Sequence, residues 1–189
     1  ISCDAQDFRG DYVNYRDNFA LKAVLAEQGA DREKVVFSHA VTKHYNVNLL
    51  VAKVARAQRR TLVLTDQAVY LVKIVPHPDK EQRKTKPFVY VCRSRIDLRT
   101  DLAGVSLSKL KDNFIVLHVK PRPPPSDTGD TILEFRRKTE FLALLLKYLP
   151  QLRVEFANTI TVAEKGGKTQ QLVFEKNALG GAGTMKKMR

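Results

Sequence analysis

No apolar run in this 189-residue chain approaches the length a helix needs to cross a bilayer. The chain is therefore expected to be soluble or peripheral. Its two cysteines, Cys3 and Cys92, form neither a metal-binding nor a redox spacing, and are read as free thiols in a reducing cytosol. The four histidines are scattered, with no His-Glu-x-x-His or comparable ligand pattern, so no metal and no cofactor is expected. The opening residues, ISCDAQDF, lack both a Met and a charged-then-apolar signal pattern, as expected of a piece of a longer protein. The most telling absence is local: from Lys43 through Arg60 there is no Asp or Glu.

What fills that gap is positive charge. Lys43, Lys53, Arg56, Arg59 and Arg60 all lie in it, within a chain of net charge +13 and pI about 9.9. Such a balance points to a polyanionic partner: an acidic membrane surface, a nucleic acid or an acidic protein. The flanks, VVFSHAVTK and RRTLVLT, are rich in β-branched and aliphatic residues and read as strands. Alternation puts Phe37, His39, Val41 and Lys43 on one face of the first, and Arg60, Leu62 and Leu64 on one face of the second. In a hairpin the two ends meet at the loop, so Lys43 and Arg60 are expected to converge on one phosphate at the rim of the sheet. The loop between them, NVNLLVAKVARAQ, has near-helical apolar spacing. It either packs on the domain or presses Leu50 and Val51 into a headgroup layer.

The remaining elements follow in order. Residues 16–28 read as a helix with Gly29 as its C-cap. AVYLVKIV and FVYVCRSRI are strands around a polar loop whose Lys80, Arg83, Lys84 and Lys86 are candidate secondary basic contacts. Strands are read over Leu102–Ser108, Asn113–Val119 and TILEFRRK, with the Pro-rich PRPPPSDTGD as a loop. TEFLALLLKYLP is the clearest helix, with Thr139 as N-cap, Phe141, Leu142, Leu145 and Leu149 as its buried stripe, and Pro150 as its stop. Seven short strands followed by one amphipathic helix is the element order of a pleckstrin-homology-like barrel, mainly β with helices (α+β). The expected division is an N-terminal helical extension over residues 1–33, the seven-stranded core with its C-terminal capping helix over 34–150, an extra β-hairpin over 151–177, and a flexible basic tail over 178–189.

Five blocks carry a resemblance to a known family: GDYVNYRDN, VVFSHAVTK, RRTLVLTDQAVYLVK, LAGVSLSKLKDNFIVLHV and KTEFLALLLKYL. In order and spacing the chain resembles the tail homology 1 domain of class I myosins. The resemblance implies a domain that links a single-headed actin motor to membranes by binding anionic phospholipids, including phosphoinositides. The implied contacts are a basic residue ending the first strand and an Arg opening the second, here Lys43 and Arg60, with Arg59 beside it; the charge of the acid-free loop adds Lys53 and Arg56 as candidate phospholipid contacts. It implies a peripheral position at the plasma membrane, endocytic membranes and actin-rich cortex. Actin and a calmodulin-like light chain would be met only through parts of the parent protein outside this chain. The loop departs from the pattern in being apolar where a polar turn is expected, and the chain is expected to end before the family's last strand.

Other classes compete with this reading. An enzyme is not expected: GGKT at 166–169 has the end of a phosphate loop, but Val162 stands where its first Gly belongs. A protein-interaction module would use the Pro-rich loop or the C-terminal hairpin. A nucleic-acid-binding module would interleave aromatics with the basic stripe for base stacking, and Tyr45 is the lone aromatic in the basic loop, so no nucleic acid is expected.

Overall fold

The computed structural model describes residues 9–45, 57–121, 129–164, 168–175 and 184–188. Its main sheet takes β1 (Val35–His44), β2 (Ala57–Thr65), β3 (Ala68–Pro76), β4 (Phe88–Asp97), β5 (Leu102–Leu107), β6 (Phe114–Val119) and β7 (Thr131–Glu134), followed by helix α2 (Lys138–Tyr148). After the helix come β8 (Val154–Phe156), β9 (Thr159–Ala163), β10 (Thr169–Glu175) and β11 (Thr184–Met188). The strand order is β4-β3-β2-β1-β7-β6-β5-β8, with β8 parallel to β5 and every other pairing in this sheet antiparallel. The fold is thus pleckstrin-homology-like α+β. β1 joins the two hairpin groups by pairing with both β2 and β7, and β4 and β8 remain as edges, so hydrogen bonds do not close the barrel.

Helix α2 packs against the inner faces of the strands. Phe141, Leu145 and Leu149 sit in one cluster with Phe37, Leu62, Leu71, Val105, Leu117 and Leu133 from the inner faces of the strands. Leu142 is only partly buried, at the edge of that cluster. Thr139 is not the N-cap: Arg137 holds that position without a side-chain cap, and Glu140 one turn in is buried. The helix is held instead by tertiary bonds, with Lys138 Nζ donating to Asp112 at 2.7 Å and to the Phe114 carbonyl at 3.2 Å.

Two layers cover the outer face. The N-terminal extension carries α1 (Phe19–Ala26), shorter than the predicted 16–28, because Tyr15–Asp17 form a 3-10 turn and Asn18 caps the helix by accepting from Leu21 N–H. Leu21 and Leu25 bury against Val63, Tyr70 and Val72. Glu33 then accepts hydrogen bonds from Thr65, Tyr70 and Arg95, tying the extension to three strands. Burial pushes the Tyr70 hydroxyl up to about 12. On the other side, β9 and β10 place Ile160, Val162, Leu172 and Phe174 over Phe114, Val116 and Ile132.

The C-terminal region differs from its expected form. VEFANTITVAE is not one hairpin arm: β8 joins the main sheet, while β9 starts a separate three-stranded sheet in the order β11-β10-β9. Thr184–Met188, predicted within a flexible tail of a chain expected to end before the family's last strand, pairs with β10 along Gln171–Glu175. Small-residue spacing in NALGGAGTMKKMR conceals this strand, because its pairing comes from β10 and not from its own apolar pattern.

Gly10–Tyr12 form a strap along the start of β1. Ser38 N–H donates to Gly10, Tyr12 N–H donates to the Ser38 carbonyl, and Asp11 makes a parallel bridge to Ser38. Gly10 N–H and Tyr12 Oη both donate to Glu140, at 3.0 and 2.6 Å. Burial raises the Asp11 carboxyl, but hydrogen bonds from the Ser38 hydroxyl and the Tyr15, Arg16 and Val13 backbones outweigh it and hold the group below its usual range.

Candidate cationic site at the hairpin tips

Register decides which charges meet. Val41 stands opposite Arg60 and Lys43 opposite Gln58, so Lys43 and Arg60 are diagonal neighbours on the inner face. Both reach the Tyr45 ring, with Lys43 Nζ 5.3 Å and Arg60 Cζ 5.8 Å from its centroid. The structure thus brings these two side chains to the same ring. Arg59, opposite Thr42, lies on the outer face and is exposed. Lys53, Arg56, Leu50 and Val51 lie outside the described residues.

Arg60 is 6% exposed. Its Nη1 donates to the Arg59 carbonyl at 2.9 Å, and its Nη2 to Tyr45 Oη and to Gln58 Oε1. Its Nε is buried with no acceptor among the described residues. A buried donor left unmade costs about 1–3 kcal/mol.

The seam between the hairpins brings in a third cation that the sequence reading missed. Pairing of β2 with β3 runs only from Thr61–Val72 to Leu64–Val69. The β1–β2 pair nevertheless continues to His44–Ala57, and the β3–β4 pair to Pro76–Phe88. Beyond Thr61 and Val72 the two hairpins part. Lys73, the residue after Val72, has the parity of the inward Leu71 and so belongs to the inner face. Lys43, Arg60 and Lys73 thus share the inner face near one end of three neighbouring strands. The sequence did carry a signal: Lys73 interrupts the apolar run AVYLVKIV at the same parity as the inward Leu71.

Lys80, Arg83, Lys84 and Lys86 are all exposed in the β3–β4 loop. Arg83 Nε is held by the His77 carbonyl at 2.6 Å, and Lys84 pairs with Glu81 at 3.2 Å. An exposed pair of that kind contributes roughly 0–1 kcal/mol, leaving the loop available as a solvated positive field. Among the described residues no group of three or more His, Cys, Asp or Glu side chains is placed to hold a metal ion. No helix among them is long and apolar enough to cross a membrane.

A second constellation is one the scattered histidines did not suggest. His118 Nε2 lies 2.7 Å from Ser106 Oγ, and its Nδ1 lies 2.8 Å from Asp130 Oδ2. The order of groups matches a nucleophile–base–acid relay. Ser106, however, is 3% exposed, and Asp130 also accepts from Val119 and Ala163 N–H. A substrate carbonyl has no approach to that hydroxyl. The group fastens β5, β6 and β9 around the entry to β7.

A family model described as "Unconventional myosin tail, actin- and lipid-binding" matches residues 1–189. The chain is 40% identical over 179 residues to the myosin IC heavy chain of Acanthamoeba castellanii, covering 95% of this chain and 14% of that protein. It is 38% identical over 187 residues to the myosin ID heavy chain of Dictyostelium discoideum, covering 95% of this chain and 15% of that protein. The myosin IB heavy chain of the same organism is 29% identical over 175 residues, with 90% and 14% covered. The chain therefore spans about one seventh of these relatives, and the ATPase head is not part of it. The family description credits the tail itself with actin binding, whereas the sequence reading assigned actin to parts of the parent protein elsewhere. A binding unit without motor machinery, matched along its whole length, the chain belongs to the unconventional myosin tail family as the tail homology 1 domain of a class I myosin.

Proposed function

We propose that this tail domain binds anionic phospholipids through the inner-face row Lys43, Arg60 and Lys73, with a preference for phosphoinositides, and so holds its parent heavy chain at the membrane surface. The observation that supports the reading is that the β2–β3 pairing stops at Thr61–Val72, leaving Lys43 and Lys73 partly exposed on the face that buried Arg60 shares, at one end of the sheet. Arg60 supplies a planar donor fork, and the two ammonium groups supply point charges on either side. Arg59 and the β3–β4 loop residues Lys80, Arg83, Lys84 and Lys86 add a field that draws the domain toward an acidic leaflet without selecting a headgroup. Lys53 and Arg56 belong to the same acid-free stretch and contribute in the same way.

The test compares vesicles of phosphatidylserine with vesicles carrying phosphatidylinositol bisphosphate at matched total charge. Lys43→Ala and Lys73→Ala are each expected to remove the phosphoinositide preference while leaving weaker phosphatidylserine binding. Both side chains are only partly buried, so unchanged melting temperatures should accompany the loss. Equal losses on both vesicle types would assign binding to the diffuse field instead. An oligonucleotide arm at the same salt separates lipid from nucleic acid.

A further inference from the structure

Three of the four large exposed hydrophobic side chains among the described residues belong to α1 and to the β3–β4 hairpin it packs against. Phe19 is 81% exposed, Phe88 62% and Ile74 50%. Ile74 pairs with Tyr90 and Pro76 with Phe88, which places all four on the outer face of the β3–β4 hairpin, toward its tip. Asn18 Nδ2 donates to Tyr90 Oη at 2.9 Å and so brings the start of α1, and with it Phe19, to the same face. Arg59, on the outer face of the neighbouring β2, is exposed as well. A monomer seldom leaves aromatic and aliphatic surface together in water without a use for it.

The surroundings select the occupant. Beyond Phe88 the hairpin tip carries Lys80, Arg83, Lys84 and Lys86 against Asp79 and Glu81, a net of +2. β1 and β3 run in the same direction, so this tip and the Lys43–Arg60–Lys73 row lie at the same end of the sheet. A flat anionic surface reached by the row also meets that tip. An apolar patch ringed by cations is the composition that enters a headgroup–acyl boundary. We propose that Phe19, Ile74 and Phe88 form a second lipid contact on the outer face, inserting into an anionic bilayer while the inner-face row holds headgroup phosphate. This rests on the lipid-binding reading above and adds to it an anchor that salt does not screen.

The chain contains no tryptophan, so a single reporter can be placed without background. Phe88→Trp puts one near the hairpin tip, and Phe156→Trp puts one at an exposed position on β8 as control. With phosphatidylserine vesicles, cosedimentation and emission are read on the same samples. Expected are a blue shift and quenching by bromine-labelled acyl chains for Phe88→Trp, and neither for Phe156→Trp. The double variant Ile74→Gln/Phe88→Gln should bind vesicles about tenfold more weakly at high salt, with a smaller loss at low salt. Sedimentation of Phe88→Trp with vesicles but without quenching would overturn the insertion and leave the cationic site standing. Failure of the unsubstituted chain to sediment at all would overturn the lipid reading and this inference together. A shift of the reporter with filamentous actin and none with vesicles would give this surface to a protein partner and overturn insertion.

Discussion

His39 stands among the Tyr12, Phe37 and Phe135 rings, with centroids at 5.2, 6.0 and 5.6 Å. Burial holds its imidazole below the usual histidine range, and Arg137 adds to that, while the Ala40 carbonyl and Glu140 oppose it. The unfolded chain therefore binds this proton more readily than the folded one does. The stabilising contribution is complete above about pH 6.5 and is lost as pH falls through the lower folded value. We expect the urea midpoint to decline from pH 7 toward pH 5, and His39→Gln to flatten that decline. An equal slope in the variant would assign it to another group. Other single residues were legible to different degrees. Lys43 and Arg60 could be placed by alternation, since parity alone sets their face. Glu140 could not: it reads as an ordinary first-turn acid, and its bonds to Gly10 and Tyr12 span about 130 residues of chain.

Gly129 lies where the entry to β7 passes β9. A Cβ there would come within 2.6 Å of the Ala163 carbonyl oxygen and 2.9 Å of Glu164 C, both backbone atoms that cannot swing aside. Asp130 N–H donates to that same Ala163 carbonyl, so the close approach is part of how the C-terminal sheet is fastened. Gly129→Ala should cost roughly 1–3 kcal/mol and partly lift β9 and β10 from Phe114, Val116 and Ile132. Faster amide exchange in β9 and β10, with β1–β4 unchanged, would register this; uniform exchange would show the two sheets to be one cooperative unit. Elements with their own apolar period, such as β1, β2 and α2, could be read directly from sequence. β8 and β11 depend on partners: three residues of β8 pair with β5, and β11 borrows its register from β10. Periodicity within a short segment cannot encode such pairings.

At the scale of the molecule, a net charge of +13 and an inner-face cationic row predict that vesicle binding falls steeply with ionic strength. Exposed Phe19, Ile74 and Phe88 predict a residue of binding that persists at high salt. Cosedimentation with anionic vesicles from 50 to 500 mM salt, taken as roughly spanning Debye lengths from above 10 Å to below 5 Å, should drop and then level off. A curve flat throughout would mean electrostatics contributes little. Composition alone points to an anionic partner, but it does not show the exposed apolar side chains as a group, because Phe19, Ile74 and Phe88 come from separate segments and are ordinary within each. The strap at Gly10–Tyr12 has a mechanical consequence as well. It lies parallel to β1, held by Ser38 N–H to Gly10, Tyr12 N–H to Ser38, and Gly10 N–H to Glu140 on α2. A pull arriving from the N-terminal side and directed along the strap loads these bonds in shear, several at once, and passes the tension into the central strand and the capping helix before α1 can unravel.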